Sequence, residues 1–291
     1  MLTTLVLAKN NISTSGIGQL CLALPHTSIL TLSLASNSLG KTAIHWISNC
    51  LQSKCKLQSL DLSHQSPKIS PIGAVHLAKA LRHNSLLQYL HLQRNRIGSE
   101  GARHIAGSLT SNSTLLGLNI SRNKVRVSGS LHLGKALASS NRTLEWIVLG
   151  ERVLPISYLR GEGSVQAPAT CDLSGKGVSP LFDGGNDGVS KFGLSVSSAK
   201  TFNIYDRGSV KETNNSETII DDEAILISQL LLRNSRLVSL KLEEAHLPIQ
   251  ALRGDNVLEE NYELDLSSAG LKCCDAIIIG VLVANNTSLT K

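Results

Sequence analysis

Leucines recur along this chain in the order L-x-x-L-x-L, usually followed by N-x-(I/L/V), and the block returns every 27–30 residues. It reads LTTLVLAKNNI at 2–12, ILTLSLASNSL at 29–39, LQSLDLSHQ at 57–65, LQYLHLQRNRI at 87–97 and LLGLNISRNKV at 115–125. The L-x-L core has the two-residue period of a strand with one buried face. It predicts that Leu5, Leu32, Leu60, Leu90 and Leu118 form one ladder pointing inward, in a parallel sheet of short strands. Asn10, Asn37, Asn95 and Asn123 follow at a fixed offset. An amide both donates and accepts, so it suits a turn whose main-chain groups are buried.

Each turn leads into a helical pattern: AVHLAKALRHN at 74–84, ARHIAGSLTSN at 102–112 and SLHLGKALASSN at 130–141. Ala74, Leu77, Ala78 and Leu81 stand at i, i+3, i+4 and i+7, one apolar stripe. Self-similarity at this period predicts a solenoid. The motif resembles the leucine-rich repeat. A strand plus a full helix in about 28 residues is similar to its ribonuclease-inhibitor-like subclass. The resemblance implies an α/β leucine-rich-repeat solenoid with a curved parallel sheet inside and helices outside.

Residues 2–149 carry the regular repeats. Beyond them, 144–178 aligns without gaps to 237–271, with 13 of 35 positions identical, including Pro155/Pro248, Leu159/Leu252, Arg160/Arg253 and Gly161/Gly254. The helix that follows repeats at another offset, EAILISQLLLRNSRL at 223–237 matching DAIIIGVLVANNTSL at 275–289. The offsets are 93 and 52 residues, so about 41 residues are inserted between the aligned blocks. Residues 144–291 are therefore expected to hold a 52-residue double unit used twice, with 179–222 as an inserted flexible loop. The unit comprises a strand, a helix-poor P-I-x-x-L-R-G connector, a second strand and a full helix. Similar pairs occur in repeat proteins of unicellular eukaryotes, without assigned chemistry. Residues 1–291 are read as a single array, and its abrupt ends suggest a fragment of a longer protein.

Aromatic residues make up 3% of the chain, so aliphatic ladders must supply the core. The net charge of +6 comes with few stacking aromatics, which argues against nucleic acid. Six cysteines, Cys21, Cys50, Cys55, Cys171, Cys273 and Cys274, are scattered without a C-x-x-C. They read as reduced thiols in a cytoplasmic protein. No signal peptide is visible. The longest apolar run, 276–284, falls far short of the roughly 20 residues that span a bilayer. The N-x-S/T sequons at Asn11, Asn112, Asn119, Asn141, Asn214, Asn285 and Asn286 read mostly as by-products of the repeat.

Catalytic chemistry finds little footing, and no cofactor or metal is expected. GSLHLGKA at 129–136 and LGKT at 39–42 each match half of a phosphate loop, and DGGNDG at 183–188 lacks two calcium-ligand positions. His76, His104 and His132 recur 28 apart and form a surface row on the convex side.

The concave face carries the candidate partner-binding residues. Tyr89, Gly117 and Trp146 share one strand position, so two exposed aromatics are expected to flank a glycine notch. His91 lies beside them. Arg94 and Arg122 share a row with Glu151 next, while Arg96 and Lys124 share another near Arg126. A basic rim of this kind suits an acidic protein surface. The reading is a non-catalytic protein-binding scaffold with no nucleic acid and no membrane among its partners. Three alternatives stay open. One is a GTPase-activating or other regulatory repeat protein, by resemblance to activators of the nuclear-transport GTPase. The others are the sensor region of a larger receptor-like protein and an assembly role.

Overall fold

The structure is a computed structural model, and it describes residues 2–53, 55–150, 152–161, 170–172, 201–203, 221–242, 245–255, 264 and 266–286. Two compact units divide at the end of the regular repeats, Met1–Leu149 and Gly150–Lys291.

In the first unit strands and helices alternate. They are β1 (Thr4–Val6), α1 (Thr14–Ala23), β2 (Thr31–Ser33), α2 (Lys41–Leu51), β3 (Ser59–Asp61), α3 (Pro71–His83), β4 (Tyr89–His91), α4 (Gly98–Leu109), β5 (Gly117–Asn119), α5 (Arg126–Ser139) and β6 (Trp146–Val148). The six strands lie in chain order and run parallel. Leu5, Leu32, Leu60, Leu90, Leu118 and Ile147 face one another in register. From Leu32 onward that ladder is buried, as are Leu34, Leu62, Leu92 and Ile120 beside it. This is the expected α/β solenoid.

Close approach of successive helices depends on a glycine that recurs at their first turn. A Cβ on Gly101 would stand 2.8 Å from the Ala74 Cβ, and one on Gly129 would stand 3.0 Å from the Ala102 Cβ. Larger residues there would push the helices apart.

The turn asparagines satisfy main-chain groups of two repeats at once. Asn95 donates to the Leu92 and Leu62 carbonyls at 2.8 and 3.0 Å, and accepts from the Gln65 and Ile69 amides. Asn37 and Asn123 likewise donate to two carbonyls, and accept from the Ile12 and Ile97 amides respectively. In the third repeat Gln65 takes the position and donates to the Leu34 and Ser63 carbonyls. A second amide row, which the repeat consensus does not reveal, follows the helices. Asn84, Asn112 and Asn141 each accept from the amide three residues on, and donate to Leu51, Leu81 and Leu109 at the end of the preceding helix.

The second unit contains β7 (Val153–Pro155), α6 (Ile156–Leu159), β8 (Thr170–Asp172), β9 (Thr201–Asn203), α7 (Asp221–Leu231), β10 (Ser239–Leu242), β11 (Ala245–Pro248), α8 (Ile249–Arg253) and α9 (Cys273–Ala284). Four strands form a sheet in the order β11-β10-β8-β9, with β11 antiparallel to β10 and the other pairs parallel. The reversal at β11 was not expected from the repeat pattern. The inserted segment 179–222 supplies β9, so it is not wholly a loop; 179–200 and 204–220 lie outside the described residues.

The P-I-x-x-L-R-G connector acquires a purpose here. Pro155 and Pro248 precede single-turn helices that end at Gly161 and Gly254, whose φ angles of +77° and +79° are left-handed. The Asn234 amide donates to the Tyr158 and Leu159 carbonyls, and Asn286 donates to Leu252. The connector is thus a repeat whose helix has shrunk to one turn while keeping the helix-end carbonyls that the next repeat's asparagine requires.

Replacing Asn95 with alanine would remove the side-chain partner of three buried main-chain groups, the Leu62 carbonyl and the Gln65 and Ile69 amides, while the Leu92 carbonyl keeps Asn123. It should destabilise the fold by ~2–4 kcal/mol in urea titration, whereas Asn10→Ala, at an exposed turn, should cost below ~1 kcal/mol.

Candidate partner-binding site

Register places Tyr89, Gly117 and Trp146 side by side on β4, β5 and β6, as the spacing predicts. The expected notch between them is filled. A Cβ on Gly117 would stand 2.1 Å from the Trp146 Cζ2, because the indole lies flat across the glycine. It thereby reaches Tyr89, with ring centroids 6.3 Å apart and planes 17° from parallel, and His91 at 6.1 Å. Trp146 is only 3% exposed, so it supports this face from within rather than projecting as an anchor. Only glycine at 117 allows this, since any side chain would occupy the space of the ring.

His91 is also withdrawn from solvent, at 6% exposure. It belongs to a row, Ser33, Asp61, His91, Asn119 and Val148, that runs across the strands and is buried throughout. Ser33 Oγ donates to Asp61 at 3.2 Å, and Asp61 accepts from the Ser63 amide at 2.9 Å. Burial pushes the His91 imidazole below its usual range, against an opposing pull from the Asp61 charge.

The basic candidates emerge differently. Arg94, Arg96, Arg122, Lys124 and Arg126 are all exposed, while Glu151 lies outside the described residues. Arg94 and Arg122 belong to a longer row at one repeat position, Lys9, Ser36, His64, Arg94 and Arg122, all in the left-handed region with φ between 55° and 57°. Main-chain bonds continue the sheet ladder through it: Lys9 N–H to Ala35, Ser36 to Ser63, His64 to Gln93 and Arg94 to Ser121. The left-handed region disfavours side chains by roughly 1–2 kcal/mol per residue, yet four of these five positions carry a basic side chain. Burial, together with the nearby charges of Arg94, Lys68 and Arg122, holds the His64 imidazole below its usual range. Lys124 and Arg126 are left-handed as well, and Arg126 stands where the preceding repeat has Gly98.

The row sits in a unit with almost no acidic residues. Residues 1–149 contain eight lysines and seven arginines against Asp61, Glu100 and Glu145, a formal +12, and the remainder of the chain carries −6 of the total of +6. Asp61 is buried. Arg103, and then His104, pair with Glu100 and hold its carboxyl down to about 2. The whole-chain charge conceals this asymmetry.

The remaining motifs do not build sites. Gly134 lies inside α5, and Gly40 is the N-cap of α2, so LGKT does open a helix but without the first glycine of a phosphate loop. The calcium-like string lies outside the described residues. The histidine row is broken into separate partnerships. His76 meets His45 with Nδ1 atoms 3.4 Å apart, His104 pairs with Glu100, and His132 Nδ1 donates to the Ser128 carbonyl. Among the described residues no three histidine, cysteine or carboxylate side chains are placed to hold a metal. No described helix is long and apolar enough to cross a membrane.

A family model described as leucine rich repeat matches residues 1–21 and 83–106, the segments of the first and fourth repeat blocks. No curated protein matches the chain. The match supports a leucine-rich repeat protein, as the fold does.

Two outcomes test this site. Gly117→Ala should displace the indole, destabilise the fold by ~2 kcal/mol and shift Trp146 fluorescence to the red in a Trp46→Phe background. The pH response follows from His91, whose folded pKa is depressed. The unfolded chain then binds the proton more readily, so stability is complete above the unfolded pKa of roughly 6.5 and falls as pH drops below it. Thermal melts between pH 7.5 and 5.5 should show that loss, and His91→Gln should reduce it, with His64 and His76, also held below their usual range, supplying the remainder.

Proposed function

We propose that this leucine-rich-repeat solenoid is a cytoplasmic, non-catalytic scaffold that binds an acidic protein segment along its basic rim. Leucine-rich repeats generally mediate protein–protein interaction and are typically non-catalytic. The observation that carries the reading is the left-handed row Lys9, His64, Arg94 and Arg122 in a unit of formal charge +12. Arg96, Lys124 and Arg126 add further exposed cations, and Tyr89 is half-buried on β4. Trp146 and His91 act beneath the surface, holding Tyr89 in place. Repeats in a parallel sheet are spaced about 4.8 Å apart. Arg94 and Arg122 stand one such interval apart with Lys9 further along the same row, and these cations complement a chain of carboxylates and steer its approach.

Two further features agree. The sequon asparagines Asn112, Asn119, Asn141 and Asn286 are buried, which leaves no room for a glycan on them. The repeat grammar of both units, with its post-helix asparagines, supports reading the chain as one array.

Binding of fluorescein-labelled poly-glutamate to the full chain, followed by anisotropy, tests the proposal. Arg94→Glu with Arg122→Glu should weaken binding at least tenfold at low salt, and 0.5 M salt should weaken the wild type similarly. Lys79→Glu with Lys135→Glu, an equal change on exposed helix positions, should cost under threefold. Equal losses from both pairs would remove the rim from the interface. A duplex DNA probe binding more tightly than poly-glutamate would overturn the protein-partner reading.

A further inference from the structure

Cys21, Cys50 and Cys55 are scattered in sequence but meet in space. Cys21 lies on the buried face of α1 and Cys50 on that of α2. The two helices touch one turn earlier, where Gly18 faces the Trp46 indole at 3.8 Å from a Cβ position. One further turn along each helix brings Cys21 against Cys50. Cys50 caps a tight turn, its carbonyl accepting from the Ser53 amide at 3.0 Å and the Ser53 hydroxyl at 2.6 Å. Cys55 is buried close to Cys50. The thiols interact in series, Cys21 with Cys50 and Cys50 with Cys55. All three are free thiols, exposed by 7%, 5% and 1% in chain order.

The sulfurs differ in proton affinity for a geometric reason. The interaction with Cys50 lowers the pKa of Cys21, and the interaction with Cys21 raises that of Cys50 to about 12. Cys55 is raised too, by its interaction with Cys50 and by burial. Cys21 is therefore the best nucleophile of the three as well as the most accessible, and it already touches a second sulfur. A thiolate in contact with a resolving thiol is the arrangement that oxidation to a disulfide requires.

We propose that Cys21 and Cys50 form a peroxide-driven redox pair that reversibly staples the first repeat to the second. The Cys21 thiolate attacks one oxygen of hydrogen peroxide. An S–O bond forms, the O–O bond breaks, and the departing hydroxide takes a proton to leave as water. The Cys50 sulfur then attacks the Cys21 sulfenic acid, forming the S–S bond and breaking S–O. The second hydroxide leaves as water with the Cys50 proton. Two thiols and one peroxide thus become one disulfide and two waters, and any small dithiol reverses the change. Cys55 stays protonated and out of the exchange. The crosslink joins residues 29 apart, one repeat, so oxidation would hold Lys9 and its neighbours against the second repeat.

Peptide mapping tests this on the unmodified full chain. After a short exposure to hydrogen peroxide and alkylation under denaturing conditions, trypsin separates the three thiols into peptides 10–41, 42–54 and 55–56. The expected product is 10–41 linked to 42–54 with the loss of two hydrogens, together with a rise in Tm of ~5 °C that dithiothreitol reverses. Cys55→Ser should leave both changes intact, and Cys21→Ser should abolish them. Linkage of 42–54 to 55–56 instead would overturn the assignment. So would a Cys21 that remains fully alkylatable while the exposed Cys273 is oxidised.

Discussion

A repeat of about 28 residues must reverse direction twice, and both reversals bury main-chain amides and carbonyls that water cannot reach. The rest of the architecture depends on meeting that demand. In the first unit two rows of side-chain amides meet it, one between strand and helix (Asn37, Gln65, Asn95, Asn123) and one between helix and strand (Asn84, Asn112, Asn141), and within the second unit Asn234 and Asn286 do the same. In both rows the amide reaches a carbonyl of the neighbouring repeat as well as its own turn, as Asn95 does with Leu62 and Leu92. Stacking is therefore a condition for satisfying the backbone, not only for burying leucine. An isolated repeat would leave its turns unpaired, which couples each repeat to the next and makes the array cooperative.

The same constraint explains the irregular half. A repeat can lose most of its helix and keep its place in the stack, provided that one helical turn remains to present carbonyls to the next asparagine. The P-I-x-x-L-R-G connector retains that turn, with a proline before it and a left-handed glycine closing it. Length is negotiable and the hydrogen-bond terminals are not. An antiparallel strand such as β11 and a long insertion fit the same scheme, because both occur between the groups the amides require.

Much of this was legible in the sequence because periodicity specifies which residues share a row. The leucine ladder, its register and the alignment of Tyr89, Gly117 and Trp146 follow from counting alone. What a side chain does within its row is not encoded in the spacing. The direction of the Trp146 ring depends on the space left by a missing Cβ one strand away, and this turns an expected exposed anchor into a buried support. Gln65 escaped the pattern because it fills an asparagine position with a longer amide. The cysteine contact was hidden by linear distance, although Cys21 and Cys50 are one repeat apart and so share a layer. The charge asymmetry was concealed by summing over two halves that oppose each other.

The left-handed residues after each strand have a consequence for how recognition scales. Their backbone conformation is the same from repeat to repeat, so the side chains they carry stand as evenly spaced teeth rather than as a shaped pocket. A comb of this sort measures its ligand by the number of teeth engaged. Gain or loss of one repeat by duplication or deletion would change its valency by a single step without redesign of any contact.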